Sequence, residues 1–391
     1  MRIGLIAIGE AVEATAAPGT LAGRSLSRHQ LDFALAQGCR KIILHGHGAS
    51  QDAIELRHAA EAAGVQFQIV RGVRDLPATV RGDDQLLVLA HGLLPDSVAA
   101  FDQLMEGYGV LVLPAEAGWS AGFERLDLAA AWGGAMVVPG RLVAQLDALP
   151  EDAEPVAALL RIARQAGVPE RPLAERELAE GRWQIVRNPE AVRAIEPAWL
   201  RRRLPPVSAY RPTAWLARAL VRRFGSAWLG KRGALCAFPV AAAGFLAAGL
   251  VSAWYGVPAL AFAALLPAAL AIEAGDALGL LGRSIFGEKA ARSPLFFALR
   301  LIWDAVLVAV GTLAIDGSRA HRLFAPVIVG GLLHASPPPP DTGWRALAGD
   351  RGALAVVLAI AAGVGFAEAG FMLIALLLVL LRVAVPAGER G

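Results

Sequence analysis

Residues 257–281 read VPALAFAALLPAALAIEAGDALGLL. The run is long enough to cross a bilayer as one helix, and its two charges, Glu273 and Asp276, fall near its end. A second apolar stretch at 295–315 contains Arg300 and Asp304, and Arg283 lies beside the first. Ionisable groups at membrane depth are costly unless they meet a partner or a wet cavity, so they mark function by default. Asp276, Arg283, Arg300 and Asp304 are therefore the first candidates for a site.

The rest of the chain explains why a membrane reading is needed. Its 391 residues are 56% hydrophobic with three tyrosines, and the mean hydropathy of +0.51 is too apolar for a soluble protein of this size. The apolar residues are unevenly spread. Up to about Arg232 charged and apolar residues mix as in a globular domain, whereas beyond Gly233 charges nearly vanish from the long runs. The fold expected is a Rossmann-like α/β domain followed by an all-α polytopic membrane domain of about six helices. The boundaries expected are 1–203 for a cytoplasmic domain, 204–232 for a linker and interfacial helix, and 233–391 for the membrane domain.

In the first domain, strand-like runs at 3–8, 41–44, 67–70, 86–89, 110–113 and 135–138 alternate with helical patterns such as 28–37 and 51–63. That alternation implies a mostly parallel sheet with helices on both faces, whose ligands would sit at the carboxyl ends of the strands. The loops there begin at Gly9, His45, Ala90 and Pro114. The start is apolar only as far as Glu10 and has no convincing cleavage site, so it reads as a first strand and not a signal peptide. His45, His47 and His91 lack the carboxylates a metal site would want and read as loop-end polar residues. Cys39 and Cys236 are the two cysteines, too few for a disulfide framework or a zinc cluster.

The net charge of +3 is concentrated in the basic stretch 201–232, just ahead of the first span. That placement implies membrane-surface contact and not nucleic-acid binding. After the proline-punctuated linker, Trp215, Leu216, Phe224 and Trp228 fall on one helical face and Arg218 and Arg222 on another, the pattern of a helix lying in the interface. Trp215, Arg218, Arg222 and Trp228 are its membrane-surface residues. Spans are expected at 233–254, 257–281, 295–315, 321–335, 353–367 and 370–385, with a rigid proline loop at 336–341. Lys and Arg flank the spans so that both termini are expected in the cytoplasm and the protein in the inner (cytoplasmic) membrane.

Two resemblances emerge from these residues. Leu21-Ala22-Gly23-Arg24-Ser25-Leu26, the strand Leu86-Leu87-Val88-Leu89 with Ala90-His91-Gly92, and Trp132-Gly133-Gly134-Ala135 are similar to segments of sugar-nucleotide nucleotidyltransferases. In that family a glycine-rich basic loop holds the phosphates and an aspartate holds a metal. Here the loop carries Glu10 and Glu13, and Ala90-His91 stands where the aspartate would be. The domain is therefore expected to be inactive in nucleotide transfer. The membrane half resembles the CDP-alcohol phosphotransferase superfamily, and the two together resemble the bifunctional inositol-phosphate cytidylyltransferase fused to a CDP-inositol phosphotransferase. The superfamily motif D-x-x-D-G-x-x-A-R, then G-x-x-x-D-x-x-x-D, supplies aspartates for divalent metal, the last serving also as base.

The corresponding residues are Gly275 or Asp276, Leu278, Gly279 and Arg283, then Phe296, Arg300 and Asp304. The resemblance implies Asp304 as base, Asp276 and Asp304 as the remaining ligands of a magnesium or manganese ion, and Arg283, Lys289, Arg292 and Arg300 as headgroup-binding cations. It implies membrane lipid and a CDP-activated alcohol as partners, with no nucleic acid, and a homodimer as the assembly. The function this implies is a divergent phosphotransferase of polar-lipid metabolism. The alternative is a non-catalytic membrane scaffold or regulator that binds phospholipid or an active homologue. An Arg300–Asp304 salt bridge at i,i+4 is the simplest expectation for those two charges.

Overall fold

The structure is a computed structural model describing residues 1–8, 19–46, 50–229, 233–282, 293–335 and 343–383. It comprises two compact units, and the chain passes between them at Trp199 and Leu200.

The first unit contains strands β1 (Arg2–Ala7), β2 (Thr20–Leu21), β3 (Arg24–Ser25), β4 (Lys41–His45), β5 (Gln66–Val70), β6 (Gln85–Leu89), β7 (Leu93–Pro95), β8 (Gly109–Pro114), β9 (Ala130–Pro139), β10 (Glu170–Pro172) and β11 (Trp183–Ile185). Its helices are α1 (Leu26–Ala36), α2 (Gln51–Ala62), α3 (Val98–Met105), α4 (Ala115–Ser120), α5 (Pro155–Gln165), α6 (Arg176–Ala179) and α7 (Pro189–Arg203), the last running on past Trp199. A seven-stranded sheet has the order β10-β8-β9-β6-β1-β4-β5. All neighbours are parallel except β9, which runs antiparallel to both β6 and β8. All six strand-like runs enter this sheet, so the α/β expectation stands. The departure from a purely parallel sheet is β9, whose ten residues are all buried. A strand covered on both faces has no alternation from which its direction could be read.

Local chemistry sets the helix starts. Ser25 Oγ accepts from the Arg28 N–H and Ser50 Oγ from the Ala53 N–H, so each serine satisfies a backbone donor that the first helical turn leaves open. The β2–β3 turn places both Ala22 and Gly23 at positive φ, as a two-residue hairpin turn of this hand requires. Alanine is strained there, and the Glu196 Oε1 from α7 holds it by accepting the Ala22 N–H at 2.8 Å. Cys39 is buried, and burial pushes its thiol up to about 12, which leaves it unreactive at neutral pH.

Glu177 is a buried acid gripped by both Nε and Nη2 of Arg182 at 2.7 Å. Those hydrogen bonds hold its carboxyl below the ordinary glutamate value of 4.5. A depressed folded value means the pair stabilises the unit above the unfolded value and is lost as pH falls through the folded one. Glu177→Gln should therefore destabilise the protein by about 3 kcal/mol at pH 7, where breaking a buried pair costs most, and the deficit should shrink in acid. A melting-temperature difference between the two proteins that is the same at pH 7 and pH 3.5 would contradict this.

The second unit is helical: α8 (Pro212–Leu229), α9 (Ala234–Trp254), α10 (Pro258–Leu281), α11 (Pro294–Ala314), α12 (Arg319–Ala335), α13 (Trp344–Ala348), α14 (Arg351–Gly363) and α15 (Ala367–Val383). Among the described residues, α9, α10 and α11 are the helices long and apolar enough to cross a membrane. Three of the about six expected spans are thus shown. Helices do lie near the other three positions, but α14 has 13 residues, about 20 Å at the α-helical rise, against an apolar core of about 30 Å. The expected proline loop at 336–341 lies outside the described residues.

Helix α10 is the hub, packed by α8, α9, α11 and α14. Its buried face includes Ala261, Ala268, Ala269, Ala274 and Ala277, small side chains that let neighbouring backbones approach. Helix α8 uses the same device. Thr213, Ala217, Val221 and Gly225 recur every four residues and are buried, whereas Trp215, Leu216 and Phe224 are exposed. The helix thus has a packed small-residue face in addition to the aromatic and basic faces expected. Arg218 donates to the Pro205 carbonyl and so ties the proline linker to α8. Trp228 is half-buried, with its ring against Phe224 and Phe238.

Candidate functional site

The charges of the second unit gather where α8, α10, α11 and α14 meet. Glu273 and Asp276 are one turn apart on α10 and present one face. Arg300, from α11, reaches both: its Nε donates to Glu273 Oε1 at 3.1 Å and its Nη2 to Asp276 Oδ2 at 2.8 Å. Asp304 is buried one turn further along α11, and both its oxygens are taken by Arg351 of α14, from Nε and Nη2 at 2.8 Å each. Such a two-point guanidinium–carboxylate grip is the strongest form of the interaction. The Arg351 guanidinium also lies 6.0 Å from the ring centroid of Trp303, and the fully buried Trp303 donates its indole N–H to the Leu265 carbonyl at 2.9 Å.

The expected Arg300–Asp304 bridge does not form. Two carboxylates on the adjacent helix outcompete one on the same helix for Arg300, and Asp304 finds a complete guanidinium in Arg351. Asp350 joins the two helix starts. Its Oδ1 caps α14 through the Ala353 N–H at 3.0 Å, and its Oδ2 accepts the Thr213 N–H of α8 at 3.0 Å. Thr213 Oγ1 donates to Asp350 as well. Gly352 makes this meeting possible, because any Cβ there would run into Thr213 Oγ1 and lie 3.0 Å from Leu266 Cδ1.

Around this network runs a small cleft of about 20 Å³, lined by Arg211, Thr213, Glu273, Arg300, Asp350 and Arg351 over a floor of Ala269 and Ile272. It presents guanidinium and carboxylate groups side by side. Arg300, Asp276 and Asp304 are thus brought into one polar centre, while Arg283, Lys289 and Arg292 lie outside the described residues. Sequence reasoning missed Arg351 and Asp350. The available signal was an Asp just ahead of an apolar helical run, the mark of an N-cap.

The residues present do not fit a divalent metal pair. The carboxylates that would be ligands are held by guanidinium groups, and among the described residues no three His, Cys, Asp or Glu side chains cluster as a metal would need. The positions matching the other motif aspartates are packed with apolar atoms. A Cβ on Gly275 would lie 2.5 Å from the Phe296 ring and 2.8 Å from Phe238 Cβ, and Leu278 is fully buried.

In the first unit, His45 Nε2 lies 3.2 Å from the Arg71 carbonyl and His91 Nδ1 lies 3.3 Å from that of Ala7. These are backbone contacts at strand ends. His47, Glu10 and Glu13 lie outside the described residues. Comparison of the chain with protein-family models and with curated proteins finds no match to either. The class that fold and site define is accordingly a membrane-associated protein with an α/β unit and a helical unit that carries a buried, ion-paired polar centre.

Proposed function

We propose that this protein is a non-catalytic membrane scaffold or regulator whose helical unit is related to lipid phosphotransferases and uses its polar centre to bind and to hold helices together. The observation that carries this reading is the bidentate Asp304–Arg351 pair. A carboxylate with both oxygens given to a guanidinium is geometrically engaged, so it is poorly placed to take a proton from an acceptor hydroxyl or to ligate a cation. The aromatic packing on Gly275 supports the same reading. For the first unit, the absence of an acid at Ala90 and His91 favours a binding or docking role over nucleotide transfer. The basic stretch before α9 favours a cytoplasmic placement of that unit.

Metal is the decisive probe. A ligand at 100 times its dissociation constant adds about 2.7 kcal/mol of stability. The melting temperature of the full-length protein in detergent is expected to be the same with millimolar manganese, with magnesium and with chelator. A clear manganese-dependent rise would overturn this proposal and restore the enzyme reading.

A further inference from the structure

Building on the non-catalytic reading, we infer that the polar cleft binds the headgroup of a zwitterionic phospholipid bearing a primary ammonium, with the phosphodiester on Arg300 and Arg351 and the ammonium on Glu273.

Three observations converge. First, the cleft is lined by both signs of charge, so neither a simple anion nor a simple cation complements it. Second, the ion pairs leave particular atoms unspent. Arg300 and Arg351 each donate through Nε and Nη2, and Glu273 accepts through Oε1. Among the described residues, Nη1 of each arginine and Oε2 of Glu273 make no hydrogen bond, and none of the three is sealed in the core. Two guanidinium donors and one carboxylate oxygen are the complement of a phosphodiester next to an ammonium. Third, the cleft lies near the ends of the membrane helices. Glu273 is about two turns, or roughly 12 Å, from the end of α10, and Arg300 is closer still to the start of α11, at roughly 9 Å. That places the cleft in the outer third of these spans, towards the headgroups of one leaflet. A volume of about 20 Å³ admits one ammonium or one phosphate oxygen, with the rest of the headgroup at the open mouth.

The ammonium distinguishes this inference from attraction of any phosphate. Phosphatidylglycerol has the phosphodiester but no cation, and phosphatidylcholine carries a quaternary ammonium with no N–H for Glu273. The experiment incubates the full-length protein in detergent with equimolar short-chain phosphatidylethanolamine, phosphatidylcholine and phosphatidylglycerol and reads the retained lipid by native mass spectrometry. Phosphatidylethanolamine is expected to be retained at least about tenfold over either competitor, the effect of one charge-assisted hydrogen bond. Glu273→Gln should erase that preference. Should that variant fail to fold, Arg300→Lys, which keeps the charge but removes Nη1, should lower retention of all three lipids without altering their ratio.

Equal retention, preference for phosphatidylglycerol, or a preference that survives Glu273→Gln would overturn the inference. Displacement of phosphatidylethanolamine by equimolar glycerophosphoethanolamine would overturn the lipid assignment in favour of a soluble ligand with the same headgroup. These outcomes are independent of the manganese result: metal stabilisation defeats the non-catalytic reading, whereas lack of lipid preference with indifference to manganese defeats only the present inference.

Discussion

Replacing Arg351 by alanine is expected to cost the helical unit about 3 to 5 kcal/mol, the usual penalty for stranding one partner of a buried pair. Asp304 is 6% exposed and would be left with no guanidinium beside it. The double variant Arg351→Ala with Asp304→Ala should recover part of the loss, because pairs in contact show coupling of about 0.5 to 3 kcal/mol. Arg300→Ala also should destabilise, through Glu273 and Asp276, but its effect should add to that of Asp304→Ala without coupling. Thermal unfolding of the parent, the three single variants and the two double variants in one detergent measures both cycles. Coupling at 300 and 304, with none at 351 and 304, would mean that the bridge runs along α11 after all.

Gly275→Asp should be still more disruptive. The side chain would enter space held by the Phe296 ring and Phe238, and overpacking alone costs about 1 to 3 kcal/mol before the burial of a new carboxylate is added. We expect no monodisperse protein from this variant and a partial loss of thermal stability for Gly275→Ala. The comparison matters for function because Gly275 occupies a position where the motif of the proposed phosphotransferase relatives has an acid. If Gly275→Asp folds as well as the parent and gains manganese stabilisation, the metal site was one substitution away and the aromatic packing is no barrier.

Much of this molecule was legible in the linear chain. Apolar runs located all six of the expected strands of the first unit. The membrane character of α9, α10 and α11 followed from run length alone. Asp276, Arg300 and Asp304 were recognisable as charges in need of partners because a charge in an apolar run is costly whatever surrounds it.

Tertiary structure decided the features that local rules do not reach. The direction of β9 depended on its neighbours, because a strand buried on both faces has no periodicity to orient it. On α8, the aromatic and basic faces could be drawn from the sequence, but the face that packs was the small-residue stripe, selected by how closely α10 and α14 approach. Most consequentially, Arg300 had an acid four residues away and turned instead to α10, while Asp304 was satisfied from 47 residues downstream. The sequence alone established that these charges needed partners, since the cost of desolvating a charge belongs to each residue by itself. Which partners they took was set only by the register in which α10, α11 and α14 pack, because an ion pair's energy depends on a distance that no single segment contains.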